Sequence, residues 1–114
     1  MPLRDQMRKG SSEIIILTLL EQEPMYGYQM THDLRQRSDG YFIMKEGLLY
    51  PTLHRMEQEG MVSSQWRTVD GRRRKYYQIT EAGREALSRQ TAEWRTFTER
   101  LMHLLDTPGA TDPA

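Results

Sequence analysis

The residues best equipped for chemistry in this chain are four consecutive cations, Arg72, Arg73, Arg74 and Lys75. They follow Asp70-Gly71 directly and lead straight into Tyr76 and Tyr77. A solubilising run would be scattered, and a disordered basic arm would not run into Tyr76, Tyr77 and Ile79. Positive charge held at one fixed place by an aromatic anchor suits a polyanion, because Arg and Lys neutralise phosphates and release their counterions. The chain as a whole has 16 basic and 16 acidic residues and no net charge. Residues 66–77 nevertheless hold Arg67 and the four-cation run against Asp70 alone. That local excess says more about a partner than the overall pI of 6.8.

Other chemistries have little to build on. There is no cysteine, so disulfides and thiolate reactions are excluded. The serines lack a His/Asp partner at recognisable spacing, and no glycine-rich phosphate loop is present. His32, His54 and His103 fall on three different predicted helices, and no ligand-spacing motif gathers them. The expectation is a protein that is not an enzyme and has no cofactor and no metal.

The elements that must position the cations follow from punctuation and period. A chain of 114 residues, 37% hydrophobic, with a mean hydropathy of -0.79, is one domain with a lean core. Its longest apolar run, Ile14 to Leu20, is too short to span a bilayer, and no small-residue cleavage site follows it, so a cytoplasmic protein is expected. Residues 1–10 read as a loosely ordered lead-in. Ser11 and Ser12 then cap a first helix through Ile14–Leu20, which Pro24 cannot extend; the three isoleucines would equally suit a strand. A second helix fits Gly27 to about Arg37 and is broken at Ser38–Tyr41. A third begins near Gly47, holds Pro51 in its first turns and stops at Gly60. Two β-branched and aromatic runs flank Asp70-Gly71, a strong hairpin signal. From Thr80, an N-cap, a long helix runs to about Leu105.

The third helix has two faces. Leu49, Leu53 and Met56 cluster on one side, while Gly47, Tyr50, Pro51, His54, Arg55 and Gln58 cluster on the other. Taken alone this is an ordinary amphipathic helix. A helix–turn–helix pair followed by a basic hairpin, however, is the winged-helix arrangement, in which the second helix of the pair enters the major groove and the hairpin lies on the flanking backbone. Base reading then falls to Tyr50, Thr52, His54 and Arg55, with Arg55 either donating to guanine or gripping a phosphate. The fold expected is mainly α with a two-stranded β-hairpin. It comprises a winged helix-turn-helix over residues 1–79, a long C-terminal dimerisation helix over 80–106 and a disordered tail over 107–114.

In the long helix Leu87, Trp94 and Leu101 recur every seven residues, and Gln90, Phe97 and Leu104 follow each by three. This is an a/d seam with one polar position, available either to the chain's own core or to a second copy. The helix outreaches what so small a head can cover, which favours a two-fold homodimer.

Three strings, "YGYQM", "GLLYPTLHRMEQEGMV" and "GRRRKYYQITEAG", resemble the PadR family of bacterial transcriptional regulators, over roughly residues 10–105. The resemblance implies a winged-helix homodimer that binds an inverted-repeat operator, usually as a repressor, and that small aromatic or drug-like compounds release. The single C-terminal helix looks like the compact subfamily. Multidrug-sensing members carry a tryptophan at the place of Trp94. By that likeness Trp94 and its symmetry mate would sandwich a planar hydrophobic effector, with Met7, Gly10 and Ile14 on the opposite wall and Thr98 one turn along. Arg72 departs from the family, which often has Pro or Gly after the turn glycine. Two alternatives stand beside this reading: a winged-helix module that docks RNA or protein, and a DNA-binding regulator without a ligand, in which Trp94 is packing.

Overall fold

The computed structural model describes residues 2–110 and contains four helices and three strands among them. Helix α1 spans Leu3–Leu20, with Pro2 as its N-cap. The expected loose lead-in is therefore helical. Nothing between Pro2 and Glu21 breaks a helix, and a proline at the start gives up only an N–H that has no intrahelical partner. Ser11 and Ser12 do not cap it. They lie inside it, and their hydroxyls donate back to the carbonyls of Met7 and Arg8 at 2.8 and 2.7 Å.

Strand β1 is the two-residue pair Met25–Tyr26, and helix α2 follows at once over Gly27–Arg37. The Gln29 side chain accepts from the Tyr26 N–H at 3.0 Å and closes the helix start. Asp39 and Gly40, with φ of 56° and 81°, end α2 in left-handed backbone. Helix α3 spans Glu46–Gln58. Pro51 sits in its second turn, where it withholds an N–H from the Gly47 carbonyl; that carbonyl lies on the exposed face, within reach of water.

Strands β2 (Val62–Val69) and β3 (Arg72–Ile79) pair antiparallel in a register closed by Val69 opposite Arg72. The connecting Asp70 and Gly71 both have positive φ, 52° and 76°, as a two-residue type I′ turn requires. The sheet is not two-stranded. β1 adds to the outer edge of β3, with Met25 opposite Tyr77 and Tyr26 opposite Tyr76, giving the order β1-β3-β2. A strand of two residues shows no alternation in sequence and exists only because β3 offers it an edge.

Helix α4 spans Glu81–Asp106. Thr80 is its N-cap: its hydroxyl accepts from the Gly83 N–H at 3.0 Å and donates to the Gly60 carbonyl at 2.6 Å. The core gathers Ile16, Leu17, Leu20, Met30, Leu49, Leu53, Met56 and Val62. From α4 only Gly83, Ala86 and Leu87 are buried. The 26-residue helix is roughly 39 Å long at about 1.5 Å per residue, and its C-terminal half leaves the body and stretches the molecule to 72 × 28 × 23 Å. Of the expected tail 107–114, residues 111–114 lie outside the described residues.

Candidate nucleic-acid interface

Helix α3 turns Leu49, Leu53 and Met56 into the core and leaves Gly47, Tyr50, Pro51, His54, Arg55 and Gln58 exposed. Thr52 is a correction. It is only 7% exposed, and its hydroxyl donates to the Leu48 carbonyl at 2.7 Å, so it cannot meet a base. At about 100° per residue, it lies far enough round from His54 to face α1 and the core.

The exposed face has a centre and two edges. Gly47, Pro51, His54 and Gln58 form the centre, with Tyr50 at one edge and Arg55 at the other. Tyr50 leans on the start of α2: a Cβ on Gly27 would come within 2.2 Å of its hydroxyl, so Gly27 leaves the space that the ring fills. Partial burial, and after it the charge of Glu46 and the neighbouring Tyr77, raise the Tyr50 pKa above its usual 10.0 and keep the hydroxyl a donor. Arg55 is paired to carboxylates of its own chain, with half of its side chain in solvent. Its Nη1 donates to Glu13 at 3.0 Å and to Glu59 at 3.1 Å, and the hydrogen bond to Glu13 is the main cause of its raised pKa. At its edge of the helix Arg55 is thus a paired cation.

The wing presents its cations differently. Among the described residues the ion pairs join Arg37 to Asp33 and Arg55 to Glu13 and Glu59, and none involves the hairpin. Aromatic faces hold the wing cations instead. Arg73 lies over Trp66 at 4.8 Å, Arg74 over Tyr26 at 4.4 Å and Lys75 over Tyr77 at 5.5 Å. A guanidinium stacked on a ring keeps its N–H edge free for an anion. A cleft of about 340 Å³ separates Tyr50 and Gly27 from Trp66, Arg73, Arg74 and Lys75, so the exposed side of α3 and the hairpin border one open space. Arg72 stands exposed at the turn.

Two residues that sequence reasoning did not assign belong here. Arg67 lies over Tyr76 at 4.9 Å and stands directly opposite Arg74 in the strand register. Like charges paired across a sheet cost stability, so the arrangement points outward to an anion. Trp66 is exposed and serves as the platform for Arg73. The two-residue turn fixes the register, and counting back from Asp70-Gly71 would have found Arg67 opposite Arg74; Trp66 stands opposite Lys75, and Arg73 reaches it on the diagonal.

On α4 the seam divides. Leu87, 8% exposed, belongs to the chain's own core, and the Gln90 amide donates to Glu13 of the same chain. Trp94 is half-buried, with the Phe97 ring edge-on to it at 6.0 Å. Beyond it Phe97, Leu101 and Leu104 are 58%, 39% and 69% exposed. Met102 and Leu105, outside the strict heptad, are exposed too and widen the apolar arc to about 160°. An open hollow of about 420 Å³ is lined by Glu93, Trp94 and Phe97, all from α4. Within one protomer it is not walled by Met7, Gly10 or Ile14. Met7 and Gly10 are exposed on α1, and Ile14 borders a separate groove of about 360 Å³ with Leu34 and Phe42. Thr98 donates to the Trp94 carbonyl at 2.8 Å. Among the described residues no group of acidic or imidazole side chains is arranged to hold a metal ion, and no helix is long and apolar enough to cross a membrane.

Comparison with known proteins agrees with this geometry. The profile of the transcriptional regulator PadR-like family matches residues 16–89. The transcriptional regulator Rv3488 of Mycobacterium tuberculosis is 37% identical over 83 residues, covering 73% of this chain and 75% of that protein. A transcriptional regulator from Clostridium thermocellum superposes with a TM-score of 0.81 at 28% identity, over 90% of this chain and 99% of that one. A PadR-like transcriptional regulator from Bacillus cereus does so with a TM-score of 0.77 at 33% identity, over 90% and 99%.

Proposed function

This chain belongs to the PadR-like family of transcriptional regulators, and from that premise we propose that it binds an inverted-repeat operator as a homodimer and represses the adjoining gene. It is not an enzyme. The observation that carries the DNA reading is the set of wing cations without acidic partners among the described residues, facing the exposed side of α3 across one cleft. Arg72, Arg73, Arg74, Lys75 and Arg67 neutralise backbone phosphates and supply affinity. Tyr50, Pro51 and His54 meet the groove, with Tyr50 donating from its hydroxyl.

Dimerisation through α4 follows from exposure. An apolar arc about 160° wide is broader than a two-helix seam, so a second copy covers it with more than one helix. Two heads fixed to such a pair address half-sites about one helical turn apart. The hollow beside Trp94 is closed by the second copy, and Met7, Gly10, Ile14 and Thr98 complete its walls there. It takes a planar, hydrophobic, drug-like effector. Because Thr80 and Gly83 lock α4 to the base of the hairpin, an effector that alters the crossing of the two α4 helices alters the spacing of the heads.

Footprinting on the region upstream of the protein's own gene, with competition from a structured RNA at matched salt, tests the reading. The expected result is a protected inverted repeat that RNA does not displace. Preference for the RNA, or protection of a single half-site by a monomer, would refute it.

A further inference from the structure

One carboxylate touches three helices. Glu13 stands in the middle of α1 with its side chain 22% exposed. Its Oε1 accepts from Arg55 of α3 at 3.0 Å, and its Oε2 accepts from Gln90 of α4. Arg55 lies at the edge of the DNA-facing side of α3, where a free guanidinium could reach a phosphate. Gln90 lies one helical turn before Trp94. Neither partner is used by the DNA or effector contacts described above.

We propose that Glu13 is a positioning residue that withholds Arg55 from DNA and makes its release depend on α4. The proposal presupposes the DNA-binding reading.

The two carboxylates on Arg55 are not equivalent. Glu59 is on α3 itself, four residues on, with half of its side chain in solvent, so it can swing aside for an incoming phosphate. Exposed pairs of this kind hold weakly. Glu13 cannot follow Arg55 outward. It is mostly buried, and Gln90 fixes its second oxygen. While the clasp is intact, a phosphate at this edge of α3 would meet a cation already matched by a carboxylate that stays in place. If α4 shifts at Gln90, Glu13 gains freedom to rotate and Arg55 becomes available. The reading head thereby acquires or loses one backbone contact without any change in its fold. This route is separate from the Thr80 junction, which moves whole heads.

The test counts phosphates. Affinity for a fluorescein-labelled, mixed-sequence DNA duplex is measured by anisotropy against salt concentration for wild type, Glu13→Gln, Arg55→Gln and the double variant. Each phosphate neutralised contributes about 0.9 to the log–log slope. With one Arg55 in each protomer of the bound dimer, Glu13→Gln is expected to steepen the slope by about 1.8, an extra loss of about 12-fold between roughly 50 and roughly 200 mM salt. Arg55→Gln, alone or with Glu13→Gln, should keep the wild-type slope. Gln90→Leu, on a helix that does not touch DNA, should steepen the slope in the same direction, and should add nothing once Glu13→Gln is present. It also serves as the second probe if Glu13→Gln proves poorly folded by circular dichroism. A Glu13→Gln slope equal to wild type, or a shallower slope in Arg55→Gln alone, overturns the proposal and leaves the DNA reading intact. A wild-type protein with no salt-dependent affinity for the duplex overturns the DNA reading, and this role with it.

Discussion

Gly83 is where the reading head meets α4, and replacing it with alanine is a severe perturbation for one methyl group. A Cβ there would sit 2.1 Å from the Met61 carbonyl oxygen and 2.7 Å from Ile79 Cγ1. Even the tightest tolerable separation, 3.0 Å, requires the first turn of α4 and the hairpin base to part by 3.0 minus 2.1, about 0.9 Å. The carbonyl cannot simply swing away, because it accepts from the Thr80 N–H at 3.1 Å, and Thr80 in turn caps the helix through Gly83. Loss of the cap costs about 1 kcal/mol and loss of the carbonyl hydrogen bond about another 1. Loosened packing around Ala86 and Leu87 adds about 1 more, and the better helix propensity of alanine returns at most about 1. The net is a destabilisation of about 2 kcal/mol, or about 8 °C in Tm for a chain of this size. Thermal unfolding followed by far-UV circular dichroism, at one fixed protein concentration because dimers shift Tm by mass action, measures it. Gly47→Ala is the control, since a Cβ added there, on the exposed start of α3, would meet nothing within 4 Å; it should not destabilise, and the better helix propensity of alanine adds at most about 1 kcal/mol. If Gly83→Ala melts together with Gly47→Ala, the close approach and the rigid joint built on it are wrong.

Three further outcomes are expected. Arg73→Ala with Arg74→Ala should weaken binding to every duplex and flatten the log–log salt slope by about 3.6, since two phosphate contacts are lost from each protomer of the dimer; a change in sequence preference at constant slope would contradict the assignment. Leu101→Asp with Leu104→Asp places charge in the exposed apolar arc of α4 and should convert a sedimenting dimer to a 13.5 kDa monomer while the head keeps its fold, because neither residue contributes to the core. Planar hydrophobic compounds should quench the indole of Trp94, read in a Trp66→Phe background so that one tryptophan reports; unchanged emission across such compounds would remove the pocket.

Much of this molecule is local, and local features are legible in the chain. Asp70-Gly71 specified the hairpin because few residues accept positive φ in succession, and Thr80 specified the start of α4 because its hydroxyl reaches a backbone N–H three residues away. The 3.6-residue period separated Leu49, Leu53 and Met56 from the outward face of α3. The same reasoning failed where competing local signals were equal. Ser11 and Ser12 look like caps, yet a serine hydroxyl is equally content bonding back within a helix, and the first real stop lies before Leu3.

What the chain could not decide on its own is which neighbour each side chain meets. Period places Arg55 at the margin of the outward face and Thr52 on the core side of it, but only the packing of α1 against α3 brings Glu13 to Arg55, 42 residues away in sequence. Leu87 and Leu101 are equivalent in the heptad. The body of the molecule ends between them, so one is core and the other is left exposed. Strand β1 exists because β3 left an edge beside it. Periodicity and turn chemistry are properties of a few adjacent residues and survive in a bare sequence, whereas long-range ion pairs and burial depend on where distant segments come to rest.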